Sequence, residues 1–203
     1  MSFWPVFAMW LAMTAVMMAP VVYPWLRALW RIAGRGVPGA PMVATVPFAG
    51  GYTIAWAGFS AAAAAVHMTL SAMHLPIPFA MDAPVLSATA LGLAGTFQFT
   101  KLKEACLSHC RSPAGFLLTR WRPGAAASAR LGLEHGLYCV GCCWALMALA
   151  LAVGMIDLLW MGVLMAVMVA ETTLPFGARL TRPVGVALLV AGAALVVMSQ
   201  VVN

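Results

Sequence analysis

Long apolar runs separated by short polar joints dominate this chain. A membrane-spanning helix needs roughly 20 mostly apolar residues. Six stretches fit that pattern: about Phe3 to Leu26, Val46 to Met73, Pro84 to Thr100, Leu133 to Gly154, Ile156 to Leu174 and Val184 to Val202. Prolines and glycines mark the joints, as in "GRGVPGAP" and "LPIPFAMDAP". The pattern predicts an all-α integral membrane protein, a bundle of about six transmembrane helices. Residues 1–203 read as one transmembrane helical domain, with no internal repeat and no long linker.

Composition agrees. The chain is 64% hydrophobic and 8% charged, with a mean hydropathy of +0.98. Soluble domains average about 45–50% apolar and about 25% charged. The net charge of +6 does not point to nucleic acid, because the charges lie in short loops between apolar runs, as the positive-inside rule explains. No Lys or Arg precedes the first apolar run and no cleavage site follows it, so that run is expected to stay as an anchor.

The basic residues set an orientation. Arg27, Arg31 and Arg35 follow the first span. Lys101, Lys103, Arg111, Arg120, Arg122 and Arg130 follow the third, and Arg179 and Arg182 follow the fifth. The loops between hold only Asp82 and Asp157. Positive residues stay in the cytoplasm, so loops one, three and five are expected there, with both termini on the non-cytoplasmic side. In bacteria this describes a multi-pass protein of the inner membrane. Small residues at 61–65 and glycines at 132, 136, 141, 185 and 192 allow close helix approach. The cytoplasmic loop at about 101–132 contains "SPAGFLLTRW". Ser112 and Pro113 suit a helix start there, and Phe116, Leu117 and Trp121 are expected at the membrane interface.

All the cysteines fall in two places on the predicted cytoplasmic side. Cys106 and Cys110 lie in "KEACLSHCR", one helical turn apart on one face, with His109 beside them. "HGLYCVGCCW" opens the fourth span, where His135, Cys139 and Cys142 form one helical stripe and Cys143 sits at its edge. The cytoplasm is reducing, so structural disulfides are not expected. Thiolate and thioether ligands suit Cu(I) and zinc, and imidazole suits both.

A tight turn near Gly154 and Met155 would set spans four and five as an antiparallel hairpin. Residues whose numbers sum to about 310 then share one depth. Glu171 falls level with Cys139, and Met168 with Cys142. An ionisable side chain inside a span usually faces the bundle interior. Glu171 is therefore a candidate ligand, proton acceptor or hydrogen-bond partner; the alternative is a membrane-end residue, solvated or paired with an arginine. Met9, Met13 and Met17 stack on the first span, and Met161, Met165 and Met168 on the fifth. Such stripes suit flexible core packing, or a soft path if copper is carried. On the opposite side His67, His74, Met68, Met73 and Asp82 lie close in sequence, as packing or as a second metal site.

Several stretches resemble a bacterial domain-of-unknown-function family described as predicted metal-binding integral membrane proteins. They are "MWLAMTAVMMAP", "GGYTIAW", "FQFTKLKEACLSHCRSP" and, most specifically, "GLEHGLYCVGCCWALMALALAVGMIDLLWM". The resemblance implies that Cys106, Cys110, His135, Cys139, Cys142 and Cys143 are the marked positions. It departs at Thr172, where many relatives have Lys, and at Asp157, where Asn is common. The first departure leaves Glu171 without a neighbouring countercharge in sequence.

Three functions follow as expectations. The first is a non-enzymatic metal-handling protein, copper(I) ahead of zinc, with Cys106 and Cys110 as an outer port and His109, His135, Cys139, Cys142, Cys143 and Glu171 in or around the site. The second is a scaffold or accessory subunit of a larger membrane complex. The third is a membrane thiol oxidoreductase using Cys139-Val-Gly-Cys142, a C-x-x-C pair. No nucleotide motif, catalytic triad or haem attachment sequence appears. The partners expected are the lipid bilayer, a metal ion and other membrane proteins.

Overall fold

A computed structural model of the protein describes residues 2–34, 40–73, 84–153 and 158–202. Arg35, His74, Asp82, Asp157 and the turn expected at Gly154 and Met155 lie outside the described residues. The described chain is all helical: α1 (Phe3–Ala33), α2 (Ala40–Ala72), α3 (Pro84–Phe97), α4 (Lys101–Cys110), α5 (Pro113–Arg120), α6 (Ala125–Val153), α7 (Leu158–Thr173) and α8 (Gly177–Val202). Four of these, α1, α2, α6 and α8, are long and apolar enough to cross a membrane; α7 is apolar but shorter.

Each expected span coincides with a helix, yet several helices outrun their apolar runs. α1 continues past Leu26 to Ala33, α6 begins at Ala125, before Leu133, and α8 begins at Gly177, before Val184. Hydropathy reads where lipid stops, whereas backbone hydrogen bonding continues wherever the residues allow it. Arg27, Arg31, Arg130, Arg179 and Arg182 ride on these extensions. Prolines stand inside α1, α2 and α8 (Pro20, Pro24, Pro47 and Pro183) without ending them, as packed helices in membranes allow.

Contacts between helices close into a ring in the order α1, α2, α6, α3, α8, α7. Apolar side chains fill its interior: Trp10, Met17, Met18, Trp56, Leu146, Met147 and Met168 are buried. Many that point outward are also apolar, among them Ile54, Leu93, Val190 and Val197. A bundle with apolar residues on both sides of its helices suits lipid as its solvent.

The α2–α6 seam is the tightest. A methyl group on Gly132 would collide with the Phe48 carbonyl, and one on Gly51 with the Ala129 carbonyl. Backbone touches backbone there, as small residues permit in membrane helix pairs.

The loop between α3 and α6 is not a surface strap. Pro113 starts α5 behind Ser112, as the sequence indicates. Phe116 and Leu117 do not face outward: both are buried against Trp25 and Leu29 of α1. The Trp25 and Phe116 rings meet edge-on at 5.6 Å. The amphipathic face was legible; what it packs against is a tertiary matter, and here the C-terminal end of α1 supplies the apolar surface.

Replacing Gly132 with Val is expected to destabilise the protein by about 1–3 kcal/mol or more, since the backbone must part. Gly58, with open space around the position of a Cβ, should accept Ala with no loss. Thermal unfolding in detergent distinguishes the two.

Candidate metal centre

The site begins with a helix turned back against the bundle. After α3 ends at Phe97, the Thr100 side chain caps α4 by accepting from the Lys103 backbone N–H at 3.2 Å. Such a cap stabilises a short helix by about 1 kcal/mol. One face of α4 is buried: Lys103, Cys106, Leu107 and Cys110, spaced i, i+3, i+4 and i+7. That face lies on α6. A methyl on Gly141 of α6 would sit 2.8 Å from the Cys106 sulfur, so this glycine is what lets α4 approach. The Trp25 indole N–H of α1 donates to the Cys110 carbonyl at 3.1 Å and fixes the far end.

This docking gathers thiols. The sulfurs of Cys110, Cys139 and Cys142 all lie within 4.8 Å of one another, and all three residues are buried. Cys110 and Cys142 sulfurs are 3.7 Å apart, and Cys142 and Cys143 sulfurs 3.3 Å. The Tyr52 hydroxyl of α2 lies 3.2 Å from the Cys139 sulfur. All five cysteines are free thiols. Cys110 is thus part of the set itself, and both it and Cys106 are buried, so they do not form an exposed outer port.

Directly behind the thiols lies an ion pair. Lys103 Nζ reaches Glu171 Oε2 of α7 at 2.7 Å and the Cys142 carbonyl of α6 at 2.7 Å. Gln98, just beyond α3, donates to Glu171 Oε1 at 3.1 Å. Both charged side chains are 1% exposed. Glu171 therefore has a countercharge, supplied by a lysine from another helix and not by residue 172. It is neither solvated nor paired with an arginine, and it faces the interior.

The two histidines sit elsewhere. His135 is fully buried, but its ring stacks on Trp25, centroids 3.7 Å apart, between Phe48 and Tyr52. Neither ring nitrogen has a hydrogen-bond partner among the described residues. His109 stacks on Tyr138 at 3.8 Å and meets Phe116 edge-on. Burial, and then the charge of Arg120, hold its imidazole below the usual range, so it is neutral near pH 7. Of the eight residues singled out in sequence, the structure brings Cys110, Cys139 and Cys142 together, puts Cys143 at their edge and Cys106 behind Gly141. It sets Glu171 one lysine away and both histidines in aromatic stacks. On the opposite side His67 is described, with Nδ1 buried and without a hydrogen-bond partner among the described residues, and Met68 packs against the core.

Sequence reasoning missed Lys103, Gln98 and Tyr52 as members of the site. Lys103 looked like a loop charge that reports orientation. A signal did exist, since it occupies the same helical stripe as Cys106 and Cys110.

The sequence model of the PpoB2 family, described as a copper chaperone, matches residues 7–195. The chain belongs to this family. No curated protein and no solved structure matches the chain. The matched range takes in every element of the centre, from Trp25 to Glu171.

The residues fit a soft metal ion. Two or three thiolates suit Cu(I), while a structural zinc site closes with four donors. The centre offers three sulfurs within mutual reach, and among the described residues no carboxylate or imidazole joins them.

Breaking the buried pair strands a charge. Lys103→Met or Glu171→Leu alone should destabilise the protein by about 3–5 kcal/mol, and the double variant should recover much of the loss. Thermal unfolding of the four proteins in detergent measures the coupling.

Proposed function

We propose that this protein is a non-enzymatic, multi-pass protein of the bacterial inner membrane that binds Cu(I) on Cys110, Cys139 and Cys142 and passes it to a partner. α1, α2, α3, α6, α7 and α8 would cross the bilayer, with both termini outside and α4 and α5 on the cytoplasmic face. The observation that carries the copper reading is the buried trio of free thiols. The family's description points to the same ion, and the one-ended distribution of basic residues supports the orientation.

The chemistry follows from the donors. Thiolate, not thiol, is the ligand, so loading Cu(I) releases protons. A thiolate only accepts hydrogen bonds, so in the loaded state Tyr52 must donate to Cys139 and so support its charge. Lys103 keeps the α6 backbone at Cys142 in place through its carbonyl and brings a positive charge near the cluster. Met147 and Met168, both fully buried in the same cluster, offer thioethers as weaker soft donors deeper in the bundle.

A second reading has a specific observation behind it. One sulfur comes from α4 and two from α6, so a bound ion would also staple these helices. In a purely structural role, removing metal would unfold or dissociate the protein without a transfer function being lost. A disulfide trapped between Cys139 and Cys142 in cells would instead favour the oxidoreductase reading.

Anaerobic titration against a chromophoric Cu(I) chelator is expected to show about one tightly held ion per chain, with near-ultraviolet sulfur-to-copper absorption. Cys139→Ala and Cys142→Ala should each weaken binding about a hundredfold or more. His135→Phe should leave affinity unchanged, because that ring packs on Trp25. Unchanged affinity in both cysteine variants would sink the proposal.

A further inference from the structure

A cavity of about 1080 Å³ opens where α3, α4 and α8 meet, on the opposite side of Lys103 and Leu107 from the thiols. Arg111, Arg179 and Arg182 line it, with the hydroxyls of Thr100, Ser108 and Ser112. Glu104 is its one acidic lining residue, and Lys103 in its wall is already paired with Glu171. Arg111 spends Nη2 on the carbonyls of Leu174 and Pro175, at 2.9 and 2.6 Å. Its Nη1 is buried and has no hydrogen-bond partner among the described residues. A guanidinium fixed on two carbonyls, with a further N–H left without a partner, is suited to take an anion after a small side-chain movement.

The rim of this cavity is apolar. Phe99 lines it and is exposed, and Leu102 of α4 and Val186 of α8 are exposed apolar residues of the same two helices. Further along the α3–α8 seam lies a separate shallow groove of about 280 Å³, lined by small and apolar residues such as Gly92, Leu189, Gly192 and Ala193, with Thr89 its one polar residue. Arg182 and Gly192 are ten residues apart, about 15 Å along α8. An anion receptor at one end and an apolar channel of small residues deeper along the same seam match an amphiphile with a negative head. Basic recesses between membrane helices at the cytoplasmic face hold anionic headgroups in this way.

We infer that the α3–α8 seam is a binding site for an anionic phospholipid, its phosphate held by Arg111, Arg179 and Arg182 and an acyl chain lying along the Gly92–Gly192 groove. The inference rests on the membrane orientation proposed above and is independent of copper.

The test is native mass spectrometry of the full-length protein released from detergent after exposure to phosphatidylglycerol or phosphatidylcholine. Phosphatidylglycerol should stay bound preferentially. Arg179→Gln with Arg182→Gln, both exposed positions, should weaken its retention by about tenfold or more. Ala193→Trp, which fills the groove from its exposed side, should weaken it without lowering the unfolding temperature. Equal retention of the two lipids, full retention by the double arginine variant, or displacement of phosphatidylglycerol by inorganic phosphate would each overturn the inference, the last by marking a site for soluble anions. Cu(I) affinity of the same variants should not change, so failure here is separable from failure of the copper reading. Protein that stays soluble without detergent would refute the membrane orientation itself.

Discussion

The contact between Lys103 and Glu171 organises the functional end of this bundle. Burying two charges costs several kcal/mol each unless their geometry is good and their remaining polar atoms are satisfied. Here Lys103 bonds a carboxylate and a carbonyl, and Glu171 receives a second donor from Gln98. One point thus ties the end of α3, α4, α6 and α7 together. Its worth lies less in net stability than in position. A lysine that must find this carboxylate forces α4 to fold back onto α6, and only that fold-back brings Cys110 to the cysteines of α6.

Close packing does the rest. Gly141 removes the side chain that would hold Cys106 and α4 away. The backbone contact of α2 with α6 sets the Tyr52 hydroxyl against Cys139. Trp25 serves two purposes at once, stacking on His135 and donating to the Cys110 carbonyl. Charge, glycine and aromatic surface therefore each fix one side of the sulfur cluster. The sulfurs themselves make few strong contacts, which suits groups that must exchange a proton for a metal ion.

Helical segments were legible in the sequence because hydropathy and helix period are local. Their lengths were less so, since Arg130 and Arg179 end an apolar run without ending a helix. The cysteine clusters were legible too, and the i, i+4 spacing placed Cys106 and Cys110 on one face. Spacing within a helix does not say what that face meets. His135 shares a stripe with Cys139 and Cys142, yet a single turn is enough to put it among Trp25, Phe48 and Tyr52 instead of among thiols. Lys103 was hidden by a rule that is sound on average: a lysine beside a span reports topology. It failed here because its partner lies three helices on.

That separation orders the protein's own making. Lys103 and Glu171 are 68 residues apart in the chain, and chains are made and fold from the N-terminus onward. When the ribosome has released α4, Lys103 has no carboxylate and Cys110 has no second sulfur. α6 brings the sulfurs, but the lysine remains unmatched until α7 has been made and docked. The centre therefore matures late, with only α8 left to pack after it. A chain interrupted before Glu171 would carry an uncompensated buried cation at its functional end, a defect of the kind that quality-control proteases meet as an open, unclosed bundle.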